Sequence, residues 1–179
     1  MTDAYQEFLA SKAIAAPTSG FHLELEDLHP WLKPHCKAIV QWGLAGGCRA
    51  YFTAYGLHKT SMQLESGRQV LLREGGEGLI VAPLGVRQEF FADAATMGIE
   101  LVFIQTDAEI QAGKLHITNY ESVREGKVTP ALFVFASLDE ADVLRSYGSK
   151  TFQEFYPTAA AVIGRFRRLM AANAARLAA

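Results

Sequence analysis

The sequence predicts a three-layer α/β/α domain with a mostly parallel sheet, closed by a C-terminal helix. Short apolar runs that suit buried strands alternate along the chain with segments of helical periodicity. The apolar runs are nearly continuous, which is typical of parallel strands that are covered on both faces. The length of 179 residues is sufficient for one domain with a substantial core.

The strands are predicted from short apolar runs bounded by Gly, Pro or polar residues. An alternating pattern at 21–25 predicts a short edge strand, and the run at 131–137 is the most apolar, so we expect that strand at the centre of the sheet. The strands of the main sheet are predicted at 48–54, 78–82, 100–105, 115–118 and 131–137.

The helices are predicted from apolar residues that recur with helical spacing and from Gly and Pro at their ends. In the helix at 86–97, Phe90, Phe91 and Ala94 are expected to face the core. Short helical turns are expected at 107–111 and 120–123. The longer helices are predicted at 3–15, 35–44, 59–73, 86–97, 149–155 and 159–179.

Composition restricts the possible environments and partners. Lys and Arg number 17 against 19 Asp and Glu, a net charge of −2, so no global basic bias indicates nucleic acid as the partner, although a local basic patch stays open. The two cysteines, Cys36 and Cys48, form no metal or redox pattern and favour a reduced chain. Without a signal peptide or an apolar run of about 20 residues, we expect a cytoplasmic protein without a membrane partner.

A candidate phosphate-binding loop follows the strand predicted at 48–54. Residues 56–60 read Gly-Leu-His-Lys-Thr and lead from a tight turn into a helix. Backbone N–H groups of such a turn, together with the helix N-terminus, form a binding site for anions. Lys59 would reach the outer phosphates of a nucleotide and the Thr60 hydroxyl would hold Mg²⁺. The alternative is a helix start without a ligand.

A second candidate site follows the strand predicted at 131–137, where residues 139–142 read Asp-Glu-Ala-Asp. Asp139 could hold Mg²⁺ through water, and Glu140 could orient an attacking water. The alternative is a helix start whose acidic residues are favoured by the helix dipole. Lys59 and Asp139 lie 80 positions apart, so adjacent parallel strands would have to bring them together.

The two motifs, in this order and each after a strand, resemble the first RecA-like lobe of superfamily 2 helicases, particularly the DEAD/Snf2-like helicases of phages and prophages. The resemblance covers roughly residues 8–156 and includes segments similar to motif Ia at 79–84, to a Thr-Asn-Tyr-Glu stretch at 117–121 and to motif II at 138–141. It implies that ATP and Mg²⁺ are the cofactors if the site is functional, with Gly56, His58, Lys59, Thr60 and Cys36 at the nucleotide and Thr60 and Asp139 at the metal.

Two positions depart from the family pattern. Cys36 stands where the family has a Gln that reads adenine, and a thiol cannot make the two contacts of an amide. His58 replaces the Gly before the Lys, which allows a positive φ and a close approach to phosphate. His tolerates left-handed conformations better than most residues, but its ring would crowd the phosphate. The later Ser-Ala-Thr-like motif and a second RecA-like lobe with its arginine finger are not found.

The resemblance divides the chain into a helicase-like lobe at 1–156, which includes the N-terminal helix and the Pro-His-Cys segment, and an Ala/Arg-rich helix at 157–179 packed on the same domain. Arg165, Arg167 and Arg168 of that helix are candidates to bind nucleic acid or an acidic protein. The alternative is that they form the solvated face of a helix.

Taken together, the departures favour a non-catalytic, helicase-derived binding module that needs no cofactor. We expect such a module, in a phage or mobile element, to engage a protein or ribonucleoprotein complex that processes nucleic acid, for example as an anti-CRISPR-like inhibitor. One alternative is an ATP-binding or ATPase lobe that acts with a separate second lobe, and another is a fragment of a longer helicase. Enzymatic activity stays open, and we expect a monomer or small homo-oligomer.

Overall fold

A computed structural model describes residues 18–54 and 56–140 of the chain. The helices predicted at 3–15, 149–155 and 159–179, the division of the chain at residue 156 and the arginines Arg165, Arg167 and Arg168 lie outside the described residues. In chain order, the helices are α1 (Pro34–Gly46), α2 (Lys59–Glu74), α3 (Arg87–Thr96) and α4 (Tyr120–Arg124), and the strands are β1 (Gly78–Val81), β2 (Leu101–Phe103), β3 (Leu115–Thr118) and β4 (Phe135–Leu138).

The four strands form one parallel sheet in the order β2-β3-β1-β4. Gly78 of β1 pairs with Leu115 of β3 on one side and with Phe135 of β4 on the other. All described pairs are parallel, and a helix or a long connection lies between each pair of consecutive strands. The predicted α/β fold with a parallel sheet is therefore confirmed.

The sheet separates two hydrophobic clusters, because successive residues of a strand point to opposite faces. Ile80 of β1 packs in the larger cluster with residues of α1, α2 and α3. Its neighbours Leu79 and Val81 pack in the smaller cluster with Val123 of α4 and with the loops that follow β2 and α4. Helices and loops on both faces of the sheet produce the predicted three layers.

The prediction of a strand at 48–54 is wrong, since the structure has no strand at these residues. Tyr51 instead lies against Gly43 of α1, where no side chain would fit, and its hydroxyl is 3.1 Å from Ser66 Oγ of α2. Phe52 is 97% exposed. These contacts hold the segment against the two helices, although its composition suits a strand.

The edge strand predicted at 21–25 is also wrong. The preceding backbone runs past the end of α1, where the N–H groups of Ser19, Gly20 and Phe21 donate to the carbonyls of Gly46, Ala45 and Leu44. The last carbonyls of a helix have no partner within it, so this segment satisfies them. A Cβ at Gly20 would lie 1.6 Å from the Leu44 carbonyl oxygen, so only glycine fits this approach.

Two further expectations differ from the structure. The run at 131–137 begins with a 3₁₀ turn at Pro130–Leu132, and its strand, β4, pairs within the described chain only with β1. The central strands are β1 and β3, all of whose residues are buried. In α3, Phe90 and Ala94 are buried as predicted, but Phe91 points about 100° away from Phe90 around the helix and is exposed.

None of the described helices combines the length and the apolar character that crossing a bilayer requires.

The buried His116 predicts a pH-dependent stability. Its Nδ1 lies 3.1 Å from the Gly78 carbonyl oxygen, and its Nε2 accepts from the Gln111 N–H at 3.0 Å, an arrangement that suits only the neutral ring. Burial lowers the pKa of His116 below its ordinary value of 6.5. On acidification the unfolded chain therefore binds the proton first, so the stability that His116 contributes is complete above pH 6.5 and is lost below it.

We expect the free energy of unfolding to fall between pH 7.5 and 5.5, and to fall less steeply in a His116→Gln variant. The difference in slope is at most about 1.4 kcal/mol per pH unit, the value for one proton. Urea unfolding at several pH values measures both slopes. Equal slopes for the wild type and His116→Gln would contradict the assignment.

Candidate functional site

The predicted phosphate-binding loop reaches α2 through left-handed backbone conformations. Gly56 has φ 78°, and His58 has φ 57° and ψ 41° as the residue that caps the N-terminus of α2. The His58 carbonyl accepts from Met62 N–H at 3.1 Å. His58 thus takes a conformation that glycine adopts more readily, at a cost of about 1 kcal/mol or more. The replacement of Gly by His at position 58 has not removed the turn.

The ring of His58 packs edge-to-face against Trp31, with 6.0 Å between the ring centroids and an interplanar angle of 87°. A pocket of about 150 Å³ lies between the two rings and the start of α1. The His58 ring therefore contributes to the wall of this pocket. It is lined by Trp31, Leu32, Lys33, Cys36 and His58.

Cys36 is buried at this pocket, and its thiol lies 3.8 Å from the Leu57 carbonyl oxygen, to which it donates. Burial raises the pKa of the thiol, so the neutral form is favoured. The side chain that the resemblance places at the adenine thus contacts the backbone of the phosphate-binding loop.

The two predicted sites lie next to each other in the structure. Asp139 directly follows β4, and its N–H donates to the Val81 carbonyl at 2.8 Å. Glu140 has a left-handed φ of 53°, and its Oε1 lies 4.0 Å from Lys59 Nζ. Thr60 is half-buried in the first turn of α2, beside Lys59. The parallel sheet therefore brings together Lys59 and Glu140, which are 81 positions apart in the chain.

Asp139 is held by Gln63, a residue that belongs to neither of the two predicted motifs. Gln63 donates from Nε2 to Asp139 Oδ1 at 2.8 Å, and its Oε1 accepts from the Ser137 hydroxyl at 2.7 Å. The two bonds fix which end of the amide faces the carboxylate. Gln63 lies four residues after Lys59, on the same face of α2, and this spacing is the only sequence signal that points to it.

The surroundings of Asp139 disfavour its negative charge. Asp139 is 8% exposed. Burial raises its pKa, and the Glu140 charge acts in the same direction, while the Gln63 hydrogen bond and the Lys59 charge oppose the shift. Tyr120 donates its hydroxyl to the Asp139 carbonyl oxygen, and burial raises the pKa of this phenol. A carboxylate in this position is stabilised by a further positive charge.

The helix that carries Lys59 is also fixed to α3. The hydroxyl of Ser61 donates to Asp93 Oδ2 at 2.6 Å. Ser61 is fully buried and sits one position after Thr60. The first turn of α2 therefore has a defined position relative to α3 as well as to β4.

The fold is shared with solved structures, while no family model and no curated protein matches the chain. The SWI2/SNF2 ATPase core of Sulfolobus solfataricus in complex with double-stranded DNA is similar with a TM-score of 0.61 and 17% identity, over 75% of this chain and 31% of that chain. The UvsW helicase of bacteriophage T4 is similar with a TM-score of 0.61 and 13% identity, over 94% of this chain and 67% of that chain. The chain thus spans about a third of the ATPase core and has the RecA-like fold of a helicase lobe.

The contact between Gln63 and Asp139 predicts a measurable change in the Asp139 carboxyl. In Gln63→Leu, the carboxylate loses a donor, so the pKa of Asp139 should rise further, and the unpaired buried groups should cost about 1–3 kcal/mol of stability. Carboxyl NMR of labelled protein measures the pKa. Ser137→Ala is the matched control, because it keeps the Gln63 donor and should change that pKa less. An unchanged pKa in Gln63→Leu would contradict the assignment.

A second prediction concerns stability at neutral pH. Because the folded-state pKa of Asp139 is raised, the protonated carboxyl is favoured in the folded chain, and stability is lost as the pH rises through that pKa. Asp139→Asn removes the charge and keeps an oxygen for Gln63, so the melting temperature at pH 7.5 should increase. The increase should disappear at pH values well below the ordinary pKa of Asp, 3.8. A lower melting temperature of Asp139→Asn at pH 7.5 would show that the Asp139 charge does not destabilise the folded chain.

Proposed function

We propose that this chain is an ATP- and Mg²⁺-binding lobe of the superfamily 2 helicase type that acts with a separate second lobe. The observation that carries the proposal is the approach of Lys59 Nζ to Glu140 Oε1 at 4.0 Å, with Asp139 adjacent. A cation for phosphates and carboxylates for Mg²⁺ are the two parts that nucleotide binding in such folds requires. Their convergence supports an ATP-binding lobe, the alternative that the family departures at Cys36 and His58 did not favour.

The residues of the loop fit a nucleotide. The left-handed turn at His58 directs the loop into the N-terminus of α2, where N–H groups without helical partners bind anions. Lys59 would contact the outer phosphates, and its present partner, Glu140, is a half-exposed carboxylate that a phosphate group can replace. The His58 ring packs on Trp31, which accounts for how a side chain can be accommodated at this position.

The carboxylates fit the metal that accompanies the nucleotide. Mg²⁺ is usually bound by one or two carboxylates together with phosphates and waters. Asp139, whose charge the buried surroundings disfavour, would gain a cation, and Thr60 would supply its hydroxyl. Mg²⁺ would neutralise the charge of the phosphates, and Glu140 would orient water.

Partners are proposed from the two similar structures. One is described as an ATPase core in complex with double-stranded DNA and the other as a helicase. By analogy, nucleic acid is the proposed partner of this chain, together with a protein that supplies the second lobe. This part of the proposal rests on fold-level likeness.

A non-catalytic binding module is the second candidate. The observations that favour it are the buried Cys36 at the adenine-reading position and the segment at 48–54, which lies outside the sheet and exposes Phe52. Such a module would bind a protein or ribonucleoprotein complex that processes nucleic acid, and an anti-CRISPR-like role is its most specific form. That form rests on the resemblance to phage helicases.

Binding of a fluorescent ATP analogue with Mg²⁺ distinguishes the two candidates. We expect saturable binding by the wild type, weakened about 10-fold or more in Lys59→Ala, because a hydrogen bond between charged groups contributes about 1.5–3 kcal/mol. Lys127, which is exposed and pairs with Glu125 at 2.7 Å, provides the control, and Lys127→Ala should bind as the wild type does. Asp139→Asn should reduce the gain in affinity that Mg²⁺ produces.

Absence of binding by the wild type would reject the proposed function. If binding then appears in His58→Gly, the histidine is the cause of the loss, and the non-catalytic module becomes the better account. Equal affinities of the wild type and Lys59→Ala would also reject the site, since binding would then occur elsewhere.

A further inference from the structure

The pocket beside the phosphate-binding loop has the walls of a stacking site. Trp31 is 41% exposed, so part of its indole is accessible from solvent. Its indole and the His58 imidazole form two aromatic sides of a pocket of about 150 Å³. His58 is the residue directly before Lys59, so the pocket adjoins the place proposed for the phosphates.

Trp31 is connected to α2 through His29. Its backbone N–H donates to His29 Nδ1 at 3.2 Å, and the His29 N–H donates to Glu65 Oε1 at 3.0 Å. Glu65 is fully buried, and Arg68 donates to both of its oxygens at 2.8 Å. The aromatic wall therefore belongs to a loop that is fixed to the same helix as Lys59, which lowers the entropic cost of binding a planar ligand.

The side chains of the pocket offer little with which to distinguish one base from another. Leu32 is apolar, and the Cys36 thiol already donates to the Leu57 carbonyl. Lys33 provides donors only, the His58 ring packs against Trp31, and among the described residues no carboxamide or carboxylate side chain lines the pocket. A site rejects the wrong ligand strongly when it is built to form hydrogen bonds with the right one, and weakly when its walls are apolar.

We propose that this pocket binds the base of a nucleoside triphosphate by stacking on Trp31 and does not select among the four bases. Stacking tolerates every base, because each has a π-face, and it contributes a large part of the binding free energy per base. The inference rests on the proposed function of the neighbouring loop and specifies its substrate class: purine and pyrimidine nucleoside triphosphates alike.

The test compares ATP, GTP, CTP and UTP, each with Mg²⁺, by calorimetric titration of the full chain. We expect dissociation constants within about tenfold of one another, the discrimination available to a pocket without paired donors and acceptors. Trp31→Ala should weaken all four by about tenfold, in line with the loss of one stacking contact. Preference for one base by about 100-fold or more would overturn the inference, as would unchanged affinities in Trp31→Ala.

Three controls separate stacking from other effects. Trp31→Phe keeps a stacking face and should retain most of the affinity. It therefore shows whether the loss of affinity in Trp31→Ala comes from the missing aromatic ring or from unfolding of the variant. Trp42, the other exposed tryptophan, lies on α1 and does not line the pocket, and Trp42→Ala should leave all four affinities unchanged. Cys36→Gln adds an amide at the pocket and should favour one base over the others. A Cys36→Gln protein that remains equally unselective would overturn the account of base recognition.

Inorganic tripolyphosphate with Mg²⁺ distinguishes failure of the inference from failure of the proposed function. Its binding should depend on Lys59 and should be unaffected by Trp31→Ala. Tripolyphosphate binding together with strong selection for one base would overturn the stacking inference and keep the phosphate site. If neither tripolyphosphate nor any of the four nucleotides binds, both are wrong.

Discussion

The buried polar side chains of α2 are the constraint on which the described structure depends. This helix places five polar residues in the interior, and a buried polar group is costly unless it has a hydrogen-bond partner. All five have partners outside the helix, in four parts of the chain, since Glu65 and Gln69 both bond to the loop before α1. One helix thus fixes that loop, the segment after α1, helix α3 and the end of β4. The five residues are Ser61, Gln63, Glu65, Ser66 and Gln69.

The same constraint places the candidate site. Lys59 and Gln63 are one turn apart on α2, and Gln63 binds Asp139, so this hydrogen bond fixes the helix that carries Lys59 relative to the end of β4. His58 and Glu140, the two non-glycine residues with positive φ in the described chain, are the sequence neighbours of Lys59 and Asp139. Such conformations cost about 1–3 kcal/mol each and persist where the surrounding structure over-determines them, most often at functional sites.

The two departures from the helicase pattern occur together in space. Cys36 and His58 lie on one pocket, and the Cys36 thiol contacts the backbone of the loop that His58 ends. From the sequence alone they indicated loss of nucleotide binding. In the structure they affect the wall of the pocket, while Lys59, Asp139 and Glu140 keep a common location. This separation supports the proposal that the chain binds nucleotide, with the departures from the family pattern located where the base would lie.

The sequence by itself determined the α/β class and the positions of β1 and β3, because a strand buried on both faces must be apolar along its whole length. It did not determine the course of residues 48–54, which are as apolar as a strand but are held by the space at Gly43 and the contact from Tyr51 to Ser66. Nor did it reveal Gln63, whose partners are 74 and 76 positions away. Only the tertiary structure decided these features, because periodicity reports which residues are buried and not which distant group satisfies a buried polar atom.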